Sequence, residues 1–181
     1  MKRFFNDLLL LSIFLIIFSC DKVDELTDID FPVTLVKILP VSVANTNEMT
    51  TSIVLDATTD PEVMKYLDNI KQYEITELLF AIENYKAPNE DEVYFDGVIG
   101  FSKISENQPT SSCAANNIPI THWAGTGNFD IDKCTSILNE ISAVLTNENA
   151  VKIYLIGTFT KAPLSFDLKV TSKIKITASP I

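Results

Sequence analysis

The sequence contains a single histidine, His122, among its 181 residues. One imidazole leaves no histidine pair for a metal site or a proton relay, and the chain has no G-x-S-x-G, H-E-x-x-H or phosphate-loop motif. The carboxylates supply no substitute. Asp130 with Asp132 is typical of a helix cap, and the acidic run 90–92 is typical of a solvated turn that lacks calcium-loop spacing. The sequence therefore predicts a protein that is not an enzyme and that carries no metal or other cofactor.

Basic side chains are scarce, since 14 lysines and arginines stand against 24 aspartates and glutamates, for a formal net charge of −10. Setting residues 1–19 aside removes Lys2, Arg3 and Asp7, which leaves 12 basic and 23 acidic side chains, or −11. Nucleic acids and anionic lipid headgroups are bound by basic patches. The composition therefore excludes both as expected partners and is compatible with a cationic one.

No apolar run is long enough to span a bilayer. The longest, residues 8–18, covers eleven residues with one serine inside it, whereas a transmembrane helix needs about 20. Lys2 and Arg3 precede this run, and a short apolar core behind a basic start is typical of an export signal.

The apolar run ends in Ile17, Phe18, Ser19 and Cys20, which resemble a bacterial lipobox. The resemblance implies that residues 1–19 are a signal peptide removed before Cys20. It also implies that the Cys20 sulfur carries diacylglycerol, often with acylation of the new amine. Several acyl chains anchor a protein where one is marginal, at about 0.8 kcal/mol per buried methylene. The membrane is then the expected partner, through lipid on Cys20; the alternative is an uncleaved signal anchor with an incidental cysteine.

Residues 20–31 are acidic and poor in periodic apolar residues, which predicts a lipidated flexible tether. Acidic residues behind a lipidated cysteine resemble the signal that sends lipoproteins of Bacteroidota to the outer face of the outer membrane. In enterobacterial lipoproteins, an aspartate directly after the cysteine instead implies inner-membrane retention. The expected location is the outer membrane, with the protein on its periplasmic or cell-surface face. Beyond the export segment, the chain resembles small uncharacterised lipoproteins of Bacteroidota, a resemblance that carries no site residues.

Two cysteines remain once Cys20 is assigned to lipid. In an exported chain, Cys113 and Cys134 are expected to form a disulfide, which would close a loop of about twenty residues and contribute roughly 3 kcal/mol. The alternative is two separate buried thiols. Zinc is disfavoured, because two cysteines with His122 make too few ligands for a closed site.

Alternating apolar residues predict a mainly β chain. The strands are expected at 31–43, 49–57, 72–85, 93–101, 151–159 and 166–176, with a doubtful one at 118–124 and a polar loop at 102–117. The first two strands and the last two are each expected to form a hairpin, and 72–85 to be a central strand. Short helices are expected after the Asp60-Pro61-Glu62 start and around 131–145.

A sheet whose one face is exposed to solvent must bury its other face. The expected fold is a single domain over 32–181, a two-layer antiparallel β-sandwich of about seven strands with two short helices. The alternative is an α+β layout, in which one curved antiparallel sheet wraps over the helices and encloses an apolar ligand.

His122 and Trp123, beside Gly125 and Gly127, are the one candidate ligand platform. A tryptophan on a loop can stack on a sugar ring or insert into a protein partner, although a sole tryptophan more often belongs to the core. The function expected from the anchor and the missing catalytic residues is a non-catalytic binding or interaction module at the cell envelope, with a protein or glycan partner. The alternative is a carrier of a lipid or other apolar ligand.

Overall fold

The strands of this protein form two antiparallel sheets. The computed structural model describes residues 28–44, 47–88, 92–127 and 137–181. The strands are β1 (Ile29–Val43), β2 (Glu48–Asp56), β3 (Ile70–Lys86), β4 (Tyr94–Ser102), β5 (Ser111–Pro119), β6 (Ala150–Phe159) and β7 (Leu164–Ala178). The α-helices are α1 (Pro61–Tyr66), α2 (Ile120–Trp123) and α3 (Leu138–Glu148), and single 3₁₀ turns, Ala57–Thr59 and Leu67–Asn69, flank α1. Sheet A has the strand order β1-β7-β3, and sheet B has the order β2-β6-β4-β5.

The two sheets share one apolar core, which confirms the predicted β-sandwich. Strand β7 shows why, because its buried and more exposed residues alternate along its whole length. Phe166 and Val170 lie on its core face, and Ile99 and Leu155 belong to the same buried cluster from sheet B. The alternative of one curved sheet over helices is wrong, since a second sheet covers the core face of the first. The helices number three among the described residues rather than two.

Both predicted hairpins are wrong. The chain crosses from sheet A to sheet B between β1 and β2, and from sheet B back to sheet A between β6 and β7. The β4–β5 pair, in contrast, is a hairpin within sheet B. Strands that flank a connection between two sheets show the same alternation of apolar and polar residues as the two strands of a hairpin. The local sequence pattern therefore does not distinguish a hairpin from a connection between sheets.

Strand β3 is lateral rather than central, and β7 holds the central position of sheet A. In the sequence, β3 has the pattern of a strand buried on both faces, because the apolar Tyr73 and Ile75 occupy odd positions whereas Leu78 and Phe80 occupy even ones. A bulge resolves this, since Ile75 pairs with Ile174 while Glu77 pairs with the adjacent Lys173. The extra residue, Thr76, shifts the alternation by one, so that both groups of side chains face the core.

The polar loop predicted at 102–117 is shorter than expected, and the strand predicted at 118–124 lies elsewhere. Strand β5 occupies 111–119, where the buried Cys113 and Ala115 alternate with more exposed neighbours. Residues 120–123 form α2, because the chain leaves the sheet after Pro119. The sequence pattern did not predict this edge strand, because its side chains are mostly small or polar and strands are usually rich in β-branched and aromatic residues.

The helix start predicted at Asp60 is confirmed. The Asp60 Oδ1 accepts hydrogen bonds from the backbone N–H groups of Glu62 (2.8 Å) and Val63 (3.3 Å), and Pro61 occupies the first turn. Val63 is fully buried, so the cap fixes the helix against the core. The apolar stripe of the second predicted helix is confirmed over α3, where Ile141 and Leu145 are buried; residues 128–136, with Asp130, Asp132 and Cys134, lie outside the described residues.

The tether predicted over residues 20–31 extends too far along the chain, because β1 already begins at Ile29. Asp28 forms an ion pair with Lys71 (2.8 Å), and Asp30 forms one with Lys175 (2.7 Å). These acidic residues are therefore held at the start of the sheet instead of being free in solvent. Residues 1–27 lie outside the described residues. No helix in the part of the chain that the structure describes is long and apolar enough to cross a membrane.

Candidate binding site at the distal end

The sandwich has two distinct ends. Ile29, at the start of β1, pairs with Ala178 at the end of β7, and Val43, at the end of β1, pairs with Leu164 at the start of β7. We call the end at Ile29 the proximal end, where the chain enters. The opposite, distal end carries the connections β1–β2, β3–β4 and β6–β7 together with helix α2 and the turn 124–127.

Backbone hydrogen bonds fix α2 at the distal end. The Ile120 N–H donates to the Val93 carbonyl (2.9 Å), and the Val93 N–H donates to Thr121 Oγ1 (3.3 Å). The Gly125 N–H donates to the Ile82 carbonyl at the outer edge of β3 (3.1 Å). Gly125 has a φ of +74°, which a side chain disfavours, so the glycine lets the chain turn back here.

His122 and Trp123 both lie on this fixed helix. His122 is exposed, whereas Trp123 is half-buried and packs against the core. The Trp123 carbonyl accepts from both the N–H (3.2 Å) and the hydroxyl (3.0 Å) of Thr126. The predicted platform is thus built partly as core, because Trp123 is half-buried and only His122 is exposed. Among the described residues, no group of three or more histidines, cysteines, aspartates or glutamates could hold a metal ion.

Two clefts lie side by side on the distal surface. One, of about 330 Å³, is lined by Asn47, Ala87, Pro88, Val93, Thr160, Lys161, Ala162 and Pro163. The other, also of about 330 Å³, shares the two prolines and extends along Ser42, Val43, Ala44, Lys86, Leu164 and Ser165. Ala87, Pro88 and Pro163 line both clefts and therefore form a common wall between them. Sequence reasoning missed this site, because its walls come from connections that meet only in the folded chain; the repeated Ala-Pro pairs were the available signal.

An aromatic cluster of the core adjoins the residues that line the first cleft. The ring centroids of Phe95 and Phe159 are 5.0 Å apart, and those of Phe159 and Phe166 are 5.9 Å apart. The Phe159 N–H donates to the Asn47 carbonyl (2.8 Å), and the Thr160 N–H donates to the Tyr94 carbonyl (2.9 Å). The floor of the distal end is therefore tied to the core of the sandwich, and a ligand there meets a preformed surface.

The space between the sheets is small. The cavity enclosed by Phe80, Ile99, Leu155 and their neighbours measures about 20 Å³, which is roughly enough for one water. Pockets for small-molecule ligands usually occupy about 300 to 1,000 Å³. The interior that the described residues enclose is therefore filled by side chains, and nothing in it favours the carrier hypothesis, which stays a prediction.

Cys113 is a buried residue of β5 within the β4–β5 hairpin, with its Sγ 3.6 Å from the Ile99 carbonyl oxygen. Cys20 and Cys134 lie outside the described residues, so the pairing of Cys113 with Cys134 stays a prediction.

The strand order defines the class of sandwich. The first strand pairs with the last and the second with the last but one, while the β4–β5 hairpin stands where the chain doubles back. This nested order is that of a jelly roll, which ordinarily has eight strands in two Greek keys. The strand that would follow β5 and pair with β3 is replaced, among the described residues, by α3 and the turn at Gly125. The described residues therefore form seven strands in the order of a jelly roll that lacks one strand.

No protein-family model matches the chain, and no curated protein matches it. Solved structures that match include a desmodium yellow mottle tymovirus protein, with 10% identity and a TM-score of 0.39, covering 85% of this chain and 82% of that one. A tobacco necrosis virus protein matches with 13% identity and a TM-score of 0.39, covering 84% and 98%. The decameric BFDV capsid protein matches with 8% identity and a TM-score of 0.38, covering 82% and 99%. At these TM-scores the likeness carries no argument about this chain, whose fold class follows from its own strand order.

Proposed function

We propose that the protein is a lipid-anchored, non-catalytic binding module of a bacterial envelope, which presents its distal end to a protein or glycan partner. The observation that carries the proposal is the polarity of the sandwich. The lipobox-like segment lies upstream of Asp28, where the chain enters the proximal end, while the clefts and Trp123 lie at the opposite end. An anchor at Cys20 would leave the distal end facing away from the membrane.

The length of β1 sets the distance between the two ends. Its 15 residues, at about 3.3 Å each, extend roughly 50 Å from the point of chain entry to the distal connections. That length exceeds the thickness of one bilayer leaflet with its headgroups. A partner approaching from solvent therefore meets the distal end first, and the lipid does not compete for that surface.

The site suits contact rather than chemistry. Its clefts are lined mainly by alanine, proline and short polar side chains, and His122 adds one exposed ring beside the half-buried indole of Trp123. Rigid apolar walls with a few polar groups at the rim are the usual composition of recognition surfaces. A protein or glycan that offers an apolar face or a ring would fit this rim.

The anchor is tested by metabolic labelling with a fatty acid. We expect the full chain to take up label, Cys20→Ser to lose it entirely, and Cys134→Ser, the matched control, to keep it. Protease treatment of intact cells then reports the face of the membrane. Label that persists in Cys20→Ser, or a mature protein that retains Met1, would contradict the anchor.

The binding end is tested by photo-crosslinking in cells. A photoreactive amino acid at Ala87 or His122 probes the distal end, and the same group at Ile104, which is 44% exposed in the β4–β5 connection, is the proximal control. We expect a discrete adduct from the distal positions that is at least fivefold stronger than from Ile104. Equal yields at the two ends, or an adduct at Ile104 only, would refute the assignment.

A further inference from the structure

The outer edge of sheet A presents a short length of β1 backbone whose outer-face side chains are uncharged, while Lys37, within the same stretch, has the parity of the core face. In β1, Val36 is 46% exposed and Ile38 is 50% exposed, and both lie on the outer face of the strand. Strand β1 pairs with β7 on one side, and no described strand pairs with it on the other. Pro32 and Pro40 bracket this stretch. We call residues Thr34–Ile38 the open segment.

The hydrogen bonding of sheet A shows which way the backbone groups of this segment point. Thr76 Oγ1, on β3, donates to the Lys173 carbonyl (3.1 Å), so Lys173 directs its backbone toward β3. The direction of the backbone N–H and C=O groups alternates from residue to residue along a strand, so Thr171, two residues from Lys173, also directs its groups toward β3. Thr171 is paired with Val36 of β1, and Val36 must therefore direct its own N–H and C=O away from β7. Thr34 and Ile38 share that direction. Three residues of the open segment therefore offer donors and acceptors to the free edge.

The two prolines share this outward parity. Pro32 pairs with Lys175 and Pro40 with Asp167, both of the odd-numbered set that turns toward β3. Neither proline therefore removes a hydrogen bond from the β1–β7 ladder, which is why they are tolerated inside a long strand. Each instead removes a donor from the free edge, so that pairing with another strand is confined to the residues between them.

We propose that the open segment pairs antiparallel with the open segment of a second copy of this chain. The proline positions are self-complementary, because Pro32 and Pro40 each lie four residues from Val36. A two-fold axis through Val36 places Thr34 opposite Ile38 of the second copy and sets each proline opposite the other, where neither needs a donor. About six backbone hydrogen bonds form in that register, whereas a shift of two residues sets each proline opposite a residue whose carbonyl then lacks a donor.

The charges of the outer face are compatible with this pairing. The lysines of β7 next to the open segment are already paired on β3, since Lys169 contacts Glu83 (3.0 Å) and Lys173 contacts Glu77. In the paired form the two β7 strands are separated by both copies of β1, or about 14 Å. That distance exceeds the Debye length of about 8 Å, so the lysines of the two β7 strands repel each other only weakly.

The side chains gain burial in the same arrangement. On the outer face, Val36 meets Val36 of the second copy, and each Ile38 meets a Thr34. A second copy is therefore a better fit than an unrelated strand, because one symmetric register satisfies the backbone, the prolines and the exposed apolar groups together. The inference uses the sandwich alone and does not depend on the lipid anchor.

Cysteine crosslinking of the full chain tests the register. Cα atoms of a directly opposed pair lie about 5.5 Å apart, which a disulfide spans. We expect Val36→Cys to form a covalent dimer under mild oxidation. Thr34→Cys, the matched control on the same face, is about 13 Å from its copy and should give at least tenfold less. Mixing Thr34→Cys with Ile38→Cys should restore the dimer.

Sedimentation of the full chain supplies the second measurement. We expect the parent protein to shift toward twice the chain mass with rising concentration, and Val36→Lys to remain at one chain mass. Met64→Lys, which places a lysine at another exposed apolar residue, should behave as the parent. Equal crosslinking at positions 34 and 36, no dimer from Val36→Cys, or capture of a different protein at position 36 would each overturn the proposal.

Discussion

Gly97 and Gly157 lie directly opposite each other in the β4–β6 ladder, beneath the ring of Phe95. A Cβ on Gly157 would approach the Asp96 carbonyl oxygen to 2.4 Å and the Gly97 Cα to 2.7 Å. Gly97 also adjoins the irregular register between β4 and β5. The backbones of β4 and β6 therefore approach each other closely at this pair, and Phe95 covers both glycines on the core side.

The first prediction concerns this glycine pair. Gly157→Ala should lower the free energy of unfolding by about 1 to 3 kcal/mol, because the backbone rather than a flexible side chain must move to admit the methyl group. Ser52→Ala, at an exposed position of β2, is the control and should change it by less than about 0.5 kcal/mol. Urea unfolding followed by circular dichroism measures both, and a Gly157→Ala protein as stable as the control would refute the close approach.

The second prediction concerns the outer edge of β3, where a helix takes the place of a strand. The N–H groups of Tyr73 and Ile75 donate to Thr146 Oγ1 (3.1 Å) and Ser142 Oγ (2.9 Å) of α3. Ser142→Ala should leave the Ile75 N–H without this acceptor and cost about 1 kcal/mol or more. Hydrogen exchange at Ile75 should accelerate, whereas the exposed control Asn139→Ala should leave it unchanged. Unaltered protection at Ile75 would show that the hydroxyl is dispensable.

The third prediction concerns pH. Burial, with a smaller contribution from the charge of Asp56, raises the pKa of Tyr73 to about 12. The folded protein therefore holds this proton more tightly than the unfolded chain does, and stability is lost as pH rises from about 10 toward 12. We expect a decline of about 1 to 2 kcal/mol from this group. The decline should be smaller by that amount in Tyr73→Phe, as measured by urea unfolding between pH 9 and 11.5; identical slopes would exclude Tyr73 as the cause.

The fourth prediction concerns the sole tryptophan. Because Trp123 is half-buried on α2, acrylamide should quench its fluorescence more slowly than it quenches the unfolded chain, but not negligibly. A partner bound at the distal end should reduce quenching further, whereas Ile104→Ala at the proximal end should leave that reduction intact. Complete protection in the free protein would remove the platform from consideration.

The sequence predicted the layers of the fold better than their connections. Alternation along β7 and the Asp60 helix start are local properties, and both are confirmed. The hairpins expected at both ends of the chain are wrong, because the choice between pairing within a sheet and crossing to the other depends on contacts with strands far away. The wall formed by Pro88 and Pro163 was likewise beyond local pattern, since these residues lie 75 positions apart in the chain.

The composition of β5 explains the remaining difference. Its residues are small or polar, so hydrophobic pattern assigned this stretch to a loop, although Cys113 and Ala115 fill a tightly packed site beside β4. The candidate platform at His122 and Trp123 was found from residue type alone. Its placement on a helix fixed by Val93 and Ile82 needed the folded structure, because both of those contacts join distant parts of the chain.

Because of the bulge in β3, Thr76 is the one residue of its neighbourhood that can be deleted without changing which side chains of the strand face the core. A chain shortened by Thr76 would still set Tyr73, Ile75, Leu78 and Phe80 inward, now in unbroken alternation. It would forfeit the local increase in twist and the hydrogen bond from Thr76 Oγ1 to the Lys173 carbonyl. Loss of Glu74 instead would turn Ile75 toward water. The position therefore tolerates a change in chain length that its neighbours do not, and natural variation in the length of this strand is expected to concentrate there.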